Sequence, residues 1–511
     1  MNDNKISKNS IVAKFAVPIS FLILFFLAAN FTDCDLVTFW KRRNHLTDLV
    51  VDMIPPDFSY IQKILLPLFY TIQMSVTGTV LGIFFALVLS PFGAANLGFP
   101  AVIRRILRIV IQILRSFPAL ILALTATFLF GLGTFAGTFA ITLYTFAIMT
   151  KLTYEDASAA DVKAYQALRA MGVSKYVAYI HGILPEIIPG FLTNALYLLE
   201  TNVRHSSILG YVGAGGIGLL LNEKISWLEY DKVGTILLML FLTVCVIEYF
   251  SRYLAALIRK ERTIKKEQAR LLLLFLAALF LICTFTLSLP DFSRTSPQTL
   301  RNMFAGFLQP DWSFFFSAEK DGLGYLLLET VCIAFIGTVI GAIVSAPLAF
   351  LNTKRFVPAP VSFLFNLVIM VIRSVPFLVY GLIFIRVSGP GAFTGVLTLA
   401  VCSIGLLTKR FTEALDALDP RPYHALLAMG VRPLPAICHS VLPQLKPVFT
   451  SIILYRFDVN IREASVLGLV GAGGIGAPLI FSMNQYAWEK AGAIMLGLIL
   501  FVWFIDMVSE K

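Results

Sequence analysis

The chain has 511 residues, 58% of them hydrophobic and 14% charged, with a mean hydropathy of +0.82; soluble chains carry about 25% charged residues. A single water-soluble core is therefore excluded, and an all-α membrane protein is expected, because several runs reach the roughly 20 apolar residues that a helix needs to cross a bilayer. The net charge of +11 would point to nucleic acid in a soluble protein, but here the basic residues sit in short loops between apolar runs, so no nucleic-acid partner is expected.

Taken in chain order, the first apolar run, near 11–30, follows Lys5, Lys8 and Lys14. It has the flank of a signal peptide, but nothing through Asp33 makes a small-residue cleavage site, so it reads as a retained first helix. Further segments fall near 64–90, 106–131, 134–151, 188–210 and 233–256, and a second series near 271–290, 325–350, 361–385, 391–408, 447–468 and 491–508. Arg104, Arg105 and Arg108 follow the second segment, Lys151 the fourth, and Arg252, Arg259, Lys260, Arg262, Lys265, Lys266 and Arg270 the sixth. All fall on one side, which puts both termini in the cytoplasm. The six cysteines show no CxxC spacing, so neither a zinc site nor a disulfide framework is expected.

The two series are a duplication. Gly172 with Leu184-Pro185 recurs as Gly430 with Leu442-Pro443, and 430 − 172 = 258. The same offset carries Arg115-Ser116-Phe117-Pro118 onto Arg373-Ser374-Val375-Pro376, Asn202 onto Asn460, and Gly213–Gly218 onto Gly471–Gly476. The expected architecture is about twelve transmembrane helices as two parallel six-helix repeats, residues 1–256 and 271–511, related by a pseudo-two-fold along the membrane normal with a central path. The basic linker 257–270 reads as a solvated charge run, with lipid recognition as the alternative.

Between the fourth and fifth segments each copy has a polar stretch, 153–186 and 411–444. Helix formers ending at a glycine, then a short segment stopped by Leu-Pro, describe a helix-turn-helix on the membrane surface that presents a knob to a cytoplasmic partner. This resembles the EAA loop of ABC importer permeases. Ala167, Gly172, Leu184 and Pro185 fit that pattern in the first copy, and Ala425, Gly430, Leu442 and Pro443 in the second. Gln166 and His424 replace its leading Glu, Leu168 and Leu426 its second Ala, and Gly182 and Ser440 its Ile. The resemblance implies that the loop docks on an ATP-hydrolysing subunit. Neither copy contains GxxxxGK[ST], so ATP and Mg are expected on a separate chain, and this chain is expected to be neither an enzyme nor a binder of any cofactor or metal.

Tyr197–Gly218 and its twin Tyr455–Gly476 read as an apolar helix carrying Glu200, Asn202 and Arg204, or Asp458, Asn460 and Arg462, followed by Leu-Gly and GAGGIG. With the Arg-Ser-x-Pro element they resemble the phosphonate permeases among the binding-protein-dependent importers. That resemblance implies the type I ABC importer permease fold in the inner membrane, two ATPase subunits, and a periplasmic or lipid-anchored phosphonate-binding protein. GAGGIG also satisfies GxGxxG, but no βαβ unit surrounds it, which excludes a dinucleotide site. Gly213, Gly215, Gly216, Gly471, Gly473 and Gly474 instead end the fifth helix and allow close backbone contact, with an anion-binding nest as the other reading.

A buried arginine is costly and needs a reason. Arg204 has Glu200 four residues earlier and Arg462 has Asp458, so one reading is an ion pair inside the bundle; the other places Arg204, Arg462, Asn202 and Asn460 along the translocation path, facing an anion. Arg115 and Arg373 line the same path, brace a kink before Pro118 and Pro376, or snorkel to an interface. In the outer loops, Phe31–Tyr60 and Asp291–Gly324, Trp40, Trp312 and Phe314–Phe316 read as interfacial aromatics, with binding-protein docking as the alternative. The function expected is import of phosphonate or a related phosphorus oxyanion. Methionine or another small solute is the alternative cargo, and a secondary transporter the alternative machine.

Overall fold

The structure, a computed structural model, describes residues 19–259, 265–290, 297–317, 319 and 322–509. Lys5, Lys8 and Lys14, the first part of the first apolar run, and Lys260 and Arg262 of the linker lie outside the described residues. The chain opens with α1 (Ile19–Phe31) and α2 (Leu36–Asp52). The first copy continues with α3 (Ile61–Gly93), α4 (Ala101–Ser116), α5 (Ala119–Phe130), α6 (Thr134–Ala159), α7 (Lys163–Ala170), α8 (Lys175–Gly182), α9 (Leu184–Leu209), α10 (Ile217–Ser226) and α11 (Tyr230–Ile258). The second has α12 (Lys266–Phe285), α13 (Pro297–Leu308), α14 (Trp312–Phe315), α15 (Leu323–Asn352), α16 (Ala359–Ser374), α17 (Phe377–Ser388), α18 (Ala392–Ala417), α19 (Arg421–Ala428), α20 (Pro433–Ala436), α21 (Leu442–Leu467), α22 (Gly476–Asn484) and α23 (Trp488–Ser509).

Among the described residues eight helices are long and apolar enough to cross a membrane, or eleven spans if each of three bent pairs counts as one. The remaining apolar run is the shorter α1. The third apolar segment of each copy is where the structure departs from a straight helix: α4–α5 bends by 95° and α16–α17 by 87°. Proline sterics push the preceding residue out of the helical region. Phe117 (φ −86°, ψ 126°) and Val375 (φ −75°, ψ 125°) are accordingly extended, and Pro118 and Pro376 cap the next helix.

Within each copy the central crossing is built on small residues. A Cβ on Gly78 would lie 2.8 Å from Ile141, and one on Gly82 would lie 2.7 Å from Thr145 of α6. In the second copy a Cβ on Gly337 would lie 2.7 Å from Leu399, and one on Gly341 would lie 2.4 Å from Ser403, both of α18. These Gly-x-x-x-Gly pairs let the two helix backbones approach closely, which is how helices gain contact where lipid offers no hydrophobic drive. Gly82→Ala is expected to lower the thermal midpoint in detergent by several degrees, since overpacking costs about 1–3 kcal/mol. Gly190→Ala, whose Cβ would meet only one atom, at 4.0 Å, should leave that midpoint unchanged or raise it.

The packing units do not follow the repeat boundary. One contains 49–305 and 498–504, the other 19–48, 306–497 and 505–509. In the first unit α12, the opening helix of the second copy, packs on α3 of the first: the Gln73 amide donates to the Cys283 carbonyl at 3.0 Å and to the Thr286 hydroxyl at 2.8 Å. In the other unit α1 packs on α15, with Phe21 edge-on to Phe335 (5.5 Å) and Phe31 against Tyr325 (4.9 Å). Each copy thus packs its first helix with the core of its twin.

Candidate functional site

At one end of each unit stands the Leu-Pro element. α7 closes on Gly172 (φ +84°), with the Val173 N–H donating to the Leu168 carbonyl (3.2 Å) and the Gly172 N–H to that of Arg169 (3.1 Å). Val431, Gly430, Leu426 and Leu427 repeat this at 3.1 and 3.0 Å, and Gly430 has φ +81°. These are Schellman closures, in which the left-handed residue is the one position where glycine is required. Gln166, Ala167, Pro185, His424, Ala425, Leu442 and Pro443 are exposed, while Leu184 packs against the underlying core. That core holds the element to the bundle: Tyr165 donates to the Leu97 carbonyl at 2.6 Å and Tyr179 is 1% exposed.

Gly182 stands where the loop pattern has isoleucine because a Cβ there would sit 2.9 Å from the Tyr165 backbone. In the second copy Ser440 lies in a π-turn, Ile437–Val441, and Pro433–Val470 is a single candidate span, whereas α8 and α9 meet at 69°. The two elements therefore share sequence signature but not shape. At their tips Met171 and Met429 are 71% and 77% exposed. The sequence reading passed over this pair, although Met-Gly-Val recurs in both copies.

Above it, α9 and α21 carry the polar seam. Asn202 is 0% exposed and donates from Nδ2 to Thr79 of α3 (2.8 Å) and Thr145 of α6 (2.7 Å). Asn460 does the same to Thr338 (2.7 Å) and Ser403 (2.9 Å). Both asparagines therefore tie three helices together. Arg204 binds Glu200 at 3.0 Å with its side chain 15% exposed, and Arg462 binds Asp458 with 17% exposed.

The second copy adds a pair the duplication does not contain. Arg456 binds Glu463 at 2.8 Å with side chains 5% and 19% exposed, and donates from Nε to Ser403 at 3.2 Å. The offset of 258 maps these onto Leu198 and His205. Their mismatch with the first copy was the available sign.

After each seam helix the chain turns through glycines with positive φ: Gly213, Gly215 and Gly216 at 82°, 79° and 78°, and Gly471, Gly473 and Gly474 at 79°, 78° and 78°. A Cβ on Gly216 would lie 2.7 Å from the Thr71 hydroxyl, and one on Gly473 would lie 2.7 Å from the Ala392 backbone. Several loop N–H groups bond within the protein. Ile217 donates to Thr71 (2.8 Å), Ile475 to Thr330 (3.1 Å), and Gly474 to the Glu329 carboxylate (3.1 Å). Arg115 and Arg373 occupy the last turn before each sharp bend, and the Arg373 stem lies 3.0 Å from where a Gly405 Cβ would be.

Beyond the first glycine turn, Lys224 is 6% exposed and lies 2.9 Å from both Glu223 and Glu229, with Trp227 beneath its ammonium at 4.3 Å. Burial opposes its charge, but bonds to Glu229 and Glu223 prevail and hold it well above the ordinary lysine range. Among the described residues no group of three or more His, Cys, Asp or Glu is placed to hold a metal.

Two copies of an apolar helix bundle, each with an exposed helix-turn-helix at one end and a hydrogen-bonded polar seam through its centre, define a multi-pass transport subunit. The chain belongs to the family of binding-protein-dependent transport system inner membrane components, whose model matches residues 78–262 and 337–510. It is similar to the phosphate-import permease protein PhnE of Mycolicibacterium smegmatis, 27% identical over 91% of this chain and 88% of that one. It is also similar to the phosphite transport system permease protein PtxC of Stutzerimonas stutzeri, 36% identical over 36% of this chain and 67% of that one. Among solved structures, a chain of the MetNI methionine ABC transporter in inward-facing conformations matches with 22% identity and a TM-score of 0.36, over 40% of this chain and 99% of that chain.

Proposed function

We propose that this chain is the permease of an ABC importer that moves phosphonate or a related phosphorus oxyanion into the cytoplasm. The observation that carries this is the likeness to a phosphate-import permease over 91% of the chain and to a phosphite permease over 36% of it, joined to a Leu-Pro element in each copy. Family membership decides against the secondary transporter. The two elements present Met171-Gly172 and Met429-Gly430 to a separate ATPase, one subunit for each, with ATP and Mg held there. A periplasmic or lipid-anchored phosphonate-binding protein delivers the cargo to the opposite side, where the glycine turns lie. Both termini are placed in the cytoplasm because Arg104, Arg105, Arg108, Lys151, Arg252 and Arg259 lie at the Leu-Pro ends of apolar segments.

Arg204 and Arg462 are the positive charges offered to the anion, held by Glu200 and Asp458 so that binding stays weak enough for release. Asn202 and Asn460 brace the helices that carry them. Arg115 and Arg373 brace the bends, and Gly213–Gly216 and Gly471–Gly474 close the outer end. The residues 1–256 and 271–511 are the two permease repeats.

The test is ATP hydrolysis and uptake in proteoliposomes holding the chain, its ATPase and a binding protein loaded with 2-aminoethylphosphonate, phosphite, phosphate or methionine. Stimulation by a phosphorus oxyanion and not by methionine is expected; stimulation by methionine alone would discard the cargo. Arg204→Gln/Arg462→Gln is expected to lower uptake at least about tenfold, roughly 1.4 kcal/mol, with basal hydrolysis unchanged. Unchanged uptake would leave both arginines as structural ion-pair partners only.

A further inference from the structure

We infer that the two Leu-Pro elements are unequal docking surfaces: the first is a preformed site for an ATPase subunit, whereas the second is held loosely on its bundle and is fixed only when its ATPase subunit binds. The inference rests on the function proposed above for these elements. Their tips are nearly identical. Residues 167–173 read Ala-Leu-Arg-Ala-Met-Gly-Val and 425–431 read Ala-Leu-Leu-Ala-Met-Gly-Val, and both close with the same pair of backbone hydrogen bonds on a left-handed glycine. An ATPase subunit therefore meets one surface presented twice, and the difference lies in what stands beneath it.

The first element is tied down by its side chains. Tyr165 donates to the Leu97 carbonyl at 2.6 Å, the Tyr179 hydroxyl lies 3.4 Å from that of Ser90, and the Lys175 ammonium donates to the Gly98 carbonyl. The Glu186 carboxylate accepts from the Asp161 N–H at 3.3 Å, and the Arg169 guanidinium locks the turn itself by donating to the Val173 carbonyl. The offset of 258 puts Tyr423, Ile437, Pro433, Gln444 and Leu427 at these five places. Isoleucine, proline and leucine have no side-chain donor, and the Gln444 amide donates instead to the Ser440 carbonyl four residues back (2.7 Å). Tyr423 keeps the hydroxyl, but its ring lies edge-on to Phe356 (5.5 Å) and the hydroxyl bonds to none of the described residues.

Burial follows the same division. Tyr165, Ala178 and Tyr179 are buried in the first element, whereas α19 buries none of its residues and α20 only Ala436. The lead-in is tied in both copies, by Asn96 to the Ala157 carbonyl (2.9 Å) and by Arg355 to the Leu418 carbonyl (2.8 Å), so the loose part is α19 with α20. Beyond it comes the π-turn Ile437–Val441, a break in the regular helical ladder of the kind that recurs at functional positions. A segment with few buried contacts opens locally at low cost. A surface already in its bound shape keeps more of its contact energy as affinity, because nothing has to be ordered on association. The first element thus carries the standing contact with its ATPase subunit, and the second engages with lower affinity.

Hydrogen exchange of the full chain in nanodiscs, read at the amides of 168–173 and 426–431, tests this, since the two segments differ only at Arg169 and Leu427. Without the ATPase, exchange at least about tenfold faster is expected in the second segment. Tyr165→Phe/Tyr179→Phe, which leaves the tip untouched, should speed exchange in the first, with unchanged exchange in α9 as the control for folding. Added ATPase subunit should slow the second segment by the larger factor. In a binding titration of the same subunit, Gly172→Asp should remove the tighter class of site and Gly430→Asp the weaker. Equal exchange in the two segments of the parent, no change in the tyrosine variant, or equal loss of affinity in the two glycine variants would overturn the inference and leave the ABC reading intact. A folded chain that binds no ATPase subunit would sink that reading, and the docking inference with it.

Discussion

Gly172→Asp/Gly430→Asp is expected to leave a folded chain in the membrane while abolishing stimulation of the partner ATPase by loaded binding protein. Both glycines have positive φ and open space around the position of a Cβ, so the substitution meets no clash. The left-handed conformation costs a non-glycine residue about 1–2 kcal/mol, paid in an exposed turn far from the Asn202 and Asn460 ties. Beside each glycine is an exposed methionine, and an added carboxylate puts a solvated charge where an apolar tip would dock. At least about tenfold weaker association with the ATPase, roughly 1.4 kcal/mol, should appear in pull-down titrations, with the detergent melting midpoint shifted by only a few degrees. A full coupling signal in a well-folded double variant would remove the Leu-Pro elements from the interface.

Arg456→Leu should destabilise the seam of the second copy. It leaves the Glu463 carboxylate, 19% exposed, without the guanidinium that neutralises it, and breaking a buried pair from one side costs about 3–5 kcal/mol. Adding Glu463→His gives the second copy the residues that the first carries, Leu198 and His205. Because the first copy packs with a leucine and a histidine at these places and the double variant leaves no carboxylate without its guanidinium, it should recover most of the lost midpoint. Thermal unfolding of the parent, the single and the double variants in one detergent decides this; equal loss in single and double would mean that the Arg456 bond to Ser403 of α18, and not the ion pair within α21, carries the stability.

Comparison of the two copies also exposes a slip in the repeat. Asn202 and Asn460 differ by 258 positions, as do Thr145 and Ser403, but their other partners, Thr79 and Thr338, differ by 259 (338 − 79). A direct alignment at constant offset pairs Thr79 with Gly337. The Asn amide reports the true register, because a hydrogen bond reaches only one side chain on the facing turn.

The sequence by itself determined the membrane class, the duplication, the twelve apolar runs, the Leu-Pro elements and the family. These rest on local or composition-level physics: apolar length against bilayer thickness, and glycine and proline as helix stops. It also placed the Glu200–Arg204 and Asp458–Arg462 pairs, since residues four apart share a helix face. Only the tertiary structure decided that the third runs turn nearly at right angles, that Asn202 and Asn460 each tie three helices, and that each opening helix packs with the twin's core. It alone gave Arg456 a partner seven residues on. Those features depend on which surfaces meet across hundreds of residues. In a chain whose outward and inward faces are both apolar, hydrophobic pattern does not say which face meets protein and which meets lipid.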